Sequence, residues 1–259
     1  MPRLAANLSM LFNEHDFLDR FAAAAKAGFR GVEFLFPYAW PAEQLAERLH
    51  ENGLSQALFN MPPGDWDAGD RGMGCIAERH GEFQDGVEQA IAYAGALGCP
   101  TIHAMAGIAP VGVAREALTE TYVENLKFAA ARCAEAGLTV VIEPINSRDM
   151  PGFFLNTSAQ GLDILARVGV ANAKLQYDIY HMQVMEGDLA PTIAEALPMI
   201  GHMQLADTPG RHEPGSGEIN YQFLLPEIDR LGYSGWIGCE YRPAGETVAG
   251  LGWAKRWLQ

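Results

Sequence analysis

Two spacings alternate along this chain. Short runs with a hydrophobic residue at every second position give way to longer stretches in which hydrophobic residues return every three or four. The first spacing suits a strand with one buried face, the second an amphipathic helix. The runs "RLAANL" from Arg3, "GVEFLF" from Gly31, "LSQALFN" from Leu54 and "CPTIHAMAG" from Cys99 read as strands. So do "LTVVIEPIN" from Leu138, "AKLQYDIYH" from Ala173, "IGHMQLAD" from Ile200 and "GWIGCEY" from Gly235.

Between them the spacing predicts helices. One starts at Asn13 or Glu14, places Phe17 and Phe21 a turn apart and stops at Gly28. The next has Pro41 in its first turn and Leu45 and Leu49 on one face. A stripe of Phe83, Val87, Ala90 and Ala94 runs to Gly98, and a longer one from Leu118 through Tyr122, Leu126, Ala129 and Cys133 runs to Gly137. Thr157 with Gln160 makes a capping box, a helix follows from about Asp188, and Asn220 caps another carrying Phe223, Leu224 and Ile228. A last helix carries Val248, Leu251, Ala254 and Leu258. Met61 to Glu82, rich in Gly, Pro and Asp, is too long for a plain connection and suggests a lid.

Strand and helix thus alternate eight times in 259 residues, which predicts an α/β fold of the (β/α)8 TIM-barrel type, one domain over 1–259. The stretches "AGFRGVEFLF", "AGLTVVIEPI" and "LGYSGWIGCEY" repeat one order: helix stop, short turn, strand, glutamate near the strand end. A doubly wound sheet is the runner-up. It would normally carry a glycine-rich phosphate loop after its first strand, and "NLSMLFNEHD" is not one.

Charge and cysteines narrow the function. A formal net charge of −14 with no Lys/Arg cluster argues against a nucleic-acid partner. The four cysteines are scattered without a CxxC pair, which fits reduced thiols in the cytoplasm. The start of the chain has no signal-peptide pattern, and no apolar run is long enough for a membrane span. Self-association is compatible with the sequence and not specified by it.

The polar residues that interrupt the strands carry the chemistry. Barrel strands alternate between the interior and the surrounding helices. With Val140 and Ile142, Leu175 and Tyr177, Met203 and Leu205, and Ile237 and Cys239 facing the helices, Glu143, Asp178, Gln204 and Glu240 face inward near four successive strand ends. Barrel active sites are built at that end. Buried like charges need compensation, and a divalent cation supplies it. Oxygen donors favour Mg²⁺ or Mn²⁺ over zinc. The plainer alternative pairs these acids with Lys174, Arg148 or Arg242 at the rim. Asn7, Glu33, Asn60 and His103 fall near the ends of the first four strands; Glu33 suits a structural role as well as a catalytic one, and His103 suits a core position as well as the pocket wall.

The motifs "VVIEPIN", "LQYDIYHMQ", "GHMQLADTPGRHEPGSGEINY" and "GCEYRP" resemble the xylose-isomerase-like barrels, and most closely, with "NMPPGDWDAGDRG", the hydroxypyruvate isomerase family. The resemblance runs almost end to end. It implies a divalent metal on Glu143, Asp178, Gln204 and Glu240, with Glu143 and Glu240 as the proton-transfer pair and substrate contacts from His181 and Arg211. Related epimerases usually place a histidine where Gln204 stands. The expected reaction is isomerisation of a small hydroxy-oxo acid, hydroxypyruvate to tartronate semialdehyde, through an enediolate. A substrate carboxylate would meet Arg211 or Arg71, and Trp66 could stack over the pocket. Competing readings are a 2-oxo-tetronate isomerase, a ketose 3-epimerase, an abasic-site endonuclease (disfavoured by the charge) and a non-catalytic sugar-acid-binding barrel.

Overall fold

The computed structural model describes residues 3–258. Eight parallel strands close into a barrel in chain order: β1 (Arg3–Asn7), β2 (Gly31–Phe34), β3 (Ser55–Asn60), β4 (Thr101–His103), β5 (Thr139–Ile142), β6 (Ala173–Asp178), β7 (Ile200–Leu205) and β8 (Trp236–Cys239). β8 pairs back onto β1, so no edge is left open. Around them run α1 (Arg20–Lys26), α2 (Ala42–Glu51), α3 (His80–Leu97), α4 (Arg115–Glu135), α5 (Ser158–Val168), α6 (Ile179–Met185), α7 (Leu189–Ala196), α8 (Tyr221–Arg230) and α9 (Thr247–Gly250).

The core lies between strands and helices. Val32, Ile102, Val140, Leu175, Met203 and Ile237 are fully buried there, against helix residues such as Phe21, Leu45, Val87, Leu126, Ile164 and Ile228. Truncating one of them, as in Ile102→Ala, costs about 2–5 kcal/mol. The α4 stripe from Leu118 to Cys133 is buried as its spacing predicts. The N-caps at Thr157 and Asn220 form, each side chain accepting a peptide N–H from the residue three positions on.

Four local expectations shift. The first helix starts late: Phe12 adopts φ 60° with its N–H on Thr247 Oγ1 (2.8 Å), and a 3-10 turn at Phe17–Asp19 precedes α1. β6 stops at Asp178 instead of running to His181. The Asp178 side chain caps α6, taking N–H groups from Tyr180 (2.8 Å) and His181 (3.4 Å), and this places His181 on a helix at the barrel mouth. In α8 the buried positions are Tyr221, Leu224, Leu225 and Ile228, so Phe223 is out of phase and 56% exposed. The last helix is a single turn, α9, followed by a 3-10 turn, with Leu251 and Ala254 buried and Val248 in solvent.

The long loop after β3 is only partly free. Its Cys75 N–H reaches Ala106 O (2.7 Å) and its Gly74 N–H reaches Met105 O (3.2 Å), beyond β4. Gly72 packs so closely that an added Cβ would lie 2.4 Å from the Met105 side chain. The exposed part, from Asp65 to Gly69, carries Trp66.

Candidate active site

The inward side chains form two groups. The first has its donors satisfied and touches the second through Asn7 and Gln204, both of which donate to Glu240. Glu33, fully buried at the end of β2, accepts from Asn7 Nδ2 (3.0 Å) and Gln204 Nε2 (2.8 Å) on Oε1, and pairs with His202 Nε2 (2.7 Å) on Oε2. Its carboxylate occupies space left by β8, where a Cβ on Gly238 would lie 2.2 Å from Glu33 Oε1. Gln204 also donates to Glu240 and accepts from Gln176 Nε2 (2.6 Å). Every donor of this group has an acceptor, as buried polar networks require.

The second group is not closed. Glu143 follows β5, Asp178 ends β6 and Glu240 follows β8, each at most 6% exposed. Glu143 Oε1 and Asp178 Oδ2 are buried and accept no hydrogen bond among the described residues. His181 Nε2 lies 3.9 Å from the first and 3.6 Å from the second. Glu143, Asp178 and His181 each offer a polar atom within 4.8 Å of the others, a cluster that could hold a cation, and the orphaned carboxylate oxygens fit one.

His181 is better suited to donate than to ligate. Its Nδ1 lies 2.6 Å from Asn146 Nδ2, whose amide is oriented by Asp149 N–H on Asn146 Oδ1 (2.8 Å). An accepting Nδ1 leaves the proton of the neutral ring on Nε2, facing the two carboxylates. The Arg211 guanidinium, 3.5 Å from Nε2, is the weaker contact.

Arg211 is the counter-ion of this group. Its Nη2 lies 2.7 Å from Glu240 Oε1 and 3.8 Å from Asp178 Oδ2, and its Nη1 lies 3.8 Å from Asp149 Oδ2. Burial works against its charge, but Glu240, Asp178 and Glu143 outweigh that and raise its pKa. The rim residues Lys174, Arg148 and Arg242 do not take this role. Lys174, for one, donates to Pro198 O (2.9 Å).

The acids are held toward their neutral forms. Burial pushes Glu143 well up, helped by Glu240 and Asp178. Burial pushes Asp178 to about 6 against the pull of Arg211, and Glu240 to about 8 against the same pull. Burial holds His181 far below its ordinary value and His103 down at about 3, so both rings are neutral.

These groups open into a cavity of about 510 Å³. Glu143, Glu240, His181, Arg211, Asn60 and Arg71 all line it, under Trp66. Asn60 Oδ1 lies 3.2 Å from His103 Nδ1, so His103 stands behind Asn60, its own Nε2 without a partner among the described residues. Trp66 packs on Phe36 at 5.0 Å and carries the Arg71 guanidinium 3.9 Å above its ring, so it both covers the pocket and anchors the loop. Among the described residues Arg71 otherwise donates to the carbonyls of Trp66 and Asp70. Strand parity missed three contributors. Gln176 was legible from the alternation of β6, two residues before Asp178. Asn146 and Asp149 sit in a loop whose path no periodicity describes.

Comparison with known proteins agrees with the barrel fold. Residues 21–258 match the family model for the xylose isomerase-like TIM barrel. A 2-oxo-tetronate isomerase of Cupriavidus necator is 55% identical over 258 residues, covering 100% of this chain and 99% of that protein. A hydroxypyruvate isomerase of Escherichia coli is 51% identical over 253 residues, 98% of each chain. A crystal structure of an AP endonuclease, family 2, from Brucella melitensis superposes with a TM-score of 0.97 at 49% identity, covering 99% of both chains.

Proposed function

We propose that this chain, which belongs to the xylose isomerase-like TIM barrel family and within it to the hydroxypyruvate isomerase family, interconverts hydroxypyruvate and tartronate semialdehyde (2-hydroxy-3-oxopropanoate). The observation that carries the reading is the pair Glu143 and Glu240, two buried carboxylates on the wall of one cavity, both pushed toward the protonated range in which a carboxyl can give and take protons near neutral pH.

In the forward direction one glutamate takes a proton from C3 of hydroxypyruvate, leaving a cis-enediolate. A proton returns to C2 while the O3 proton moves to O2, so one C–H bond breaks, one forms, and no redox partner is needed. A bound divalent cation, Mg²⁺ or Mn²⁺ on the hardness of the donors, would polarise the carbonyl and acidify the neighbouring C–H. Glu143, Asp178, Gln204 and Glu240 would hold it. The Gln204 oxygen has a second lone pair beyond the one it gives Gln176.

His181 offers its Nε2 proton to a substrate oxygen. Arg211 grips the substrate carboxylate from the loop after β7, with Arg71 on the lid side. Asn60 lines the cavity and His103 backs it from behind. The substrate is a small hydroxy-oxo acid, and no nucleic-acid face is called for in so acidic a chain. The four buried thiols suit a cytoplasmic location.

A second reading is favoured by the 55% identical relative. A 2-oxo-tetronate is hydroxypyruvate lengthened by one hydroxylated carbon beyond C3, so the same carboxylate grip and proton shift serve both. The test is deuterium incorporation from solvent, with product NMR, on both acids with and without chelator. Exchange into hydroxypyruvate that chelator abolishes is the expected result. Turnover of the four-carbon acid far above hydroxypyruvate moves the assignment to the second reading, and exchange into neither acid overturns both.

A further inference from the structure

The loop at 208–220 leaves β7, carries Arg211 into the cavity and returns to α8 without a helix or strand of its own. Arg211 adopts φ 53°, a left-handed conformation that a long side chain takes only when its surroundings impose it. One buried side chain ties the loop together. Asp207, fully buried, accepts four peptide N–H groups. Oδ1 takes Thr208 (2.9 Å) and Ile219 (3.0 Å), and Oδ2 takes Gly215 (2.9 Å) and Gly217 (2.9 Å). Its own N–H reaches His212 O (2.8 Å), and Arg242 N–H reaches Arg211 O (2.8 Å). The clamp is tight at Gly217, where a Cβ would lie 2.0 Å from Thr208 O and 2.7 Å from Asp207 Oδ1.

Among the described residues no cationic side chain pairs with Asp207, so its charge is spent on backbone alone. All four N–H groups belong to the Arg211 loop and none to the barrel. A carboxylate taking several peptide N–H groups holds a chain path that glycines would otherwise leave open. We infer that Asp207 is the positioning residue for Arg211, fixing the loop so that the guanidinium stands over Glu240 and Asp178 where a substrate carboxylate arrives. The inference rests on the reading of Arg211 as a substrate-gripping residue.

The experiment is a double-mutant cycle of Asp207→Asn and Arg211→Ala on kcat/KM for hydroxypyruvate and the four-carbon acid. Asparagine keeps the shape but presents an amide NH₂ to two of the four N–H groups. Asp207→Asn alone should lower kcat/KM by about 10²-fold through a displaced guanidinium. In the Arg211→Ala background the same change should cost less than about threefold, since the group it positions is gone. Equal losses in the two backgrounds, or no loss in the wild-type background, overturn the positioning role. No loss from Arg211→Ala itself also sinks the grip assigned to Arg211, which separates the two failures. Hydrogen exchange adds a readout that needs no turnover. The amides of Thr208, Gly215, Gly217 and Ile219 should exchange faster in Asp207→Asn while those of β7 and β8 stay protected; loosening of the strands as well would make Asp207 a general structural residue. If Asp207→Asn does not fold, Gly217→Ala, which disturbs the clamp without removing its charge, enters the same cycle with the same expectations.

Discussion

Glu33 and Glu143 come from the same pattern, an inward glutamate near a strand end, and both are buried. On its arc of the barrel Glu33 receives Asn7, Gln204 and His202, so each of its oxygens is engaged. Glu143 has Oε1 with no partner among the described residues and is crowded by Glu240 and Asp178. The difference separates scaffold from site. Glu33, satisfied by donors from other strands, holds strands in place, whereas Glu143, left short of donors, holds capacity for a ligand or a proton; Glu240, met by Arg211, Gln204 and Asn7, stands between the two.

The largest expected effect divides the two in turnover. Glu143→Gln should lower kcat by about 10³-fold, the loss of a general base, with the fold intact. Glu33→Gln should cost less than about tenfold, on the scale of a supporting residue. Equal losses measured by steady-state kinetics would erase the distinction.

Stability should divide them in the opposite sense. Glu33→Ala leaves the His202, Asn7 and Gln204 groups facing an empty space, a loss of about 3–5 kcal/mol at about 1–3 kcal/mol for each buried polar group left unpaired. Glu143→Ala removes a desolvated acid repelled by its neighbours, so metal-free protein should lose less than about 1 kcal/mol, or gain, in urea unfolding. A Glu143→Ala variant as unstable as Glu33→Ala would mean that Glu143 also holds the scaffold.

The open group should carry the pH dependence. Asp178 stands at about 6 against an ordinary 3.8, and Glu240 at about 8 against 4.5. A raised folded-state pKa on an acid means that the folded protein keeps protons the unfolded chain has released. Metal-free stability therefore falls as pH rises from about 4 to about 8. A divalent cation takes the ionised forms, so its affinity should rise over the same window, by up to about tenfold per pH unit for each proton released. Calorimetric titration with Mn²⁺ at pH 6, 7 and 8 checks the sign, and an affinity that does not change would remove Asp178 and Glu240 from its binding.

Most of the fold was legible because its causes are periodic. A two-residue alternation on strands and a three-to-four-residue return on helices gave eight units and the inward side of Glu143, Asp178, Gln204 and Glu240. What escaped depends on contacts distant in sequence. That Glu33 is satisfied while Glu143 is not turns on where His202, Asn7 and Gly238 fall around a closed ring, which no local window records. The end of β6 departs from its apolar run, which continues through Ile179 and Tyr180, because the Asp178 side chain caps α6. Asp207 is not legible in the sequence, because an aspartate before Thr, Pro and Gly reads as an ordinary turn and its four N–H partners lie up to twelve residues on.

Gln204 belongs to both groups, and the smallest expected effect lies there. Its amide donates to Glu33 on one side and to Glu240 on the other, while its oxygen accepts from Gln176 and keeps a lone pair. A histidine in its place brings a stronger nitrogen ligand but has a single N–H left when it ligates, so one of the two donated bonds is lost. Gln204→His should then bind Mn²⁺ about threefold to tenfold more tightly, on the preference of transition ions for imidazole. The lost bond should lower metal-free stability by about 1–3 kcal/mol. Both changes together would place Gln204 at the boundary where scaffold meets site. A loss of stability with no change in affinity would assign it wholly to the Glu33 side, and the cation would then rest on the carboxylates alone.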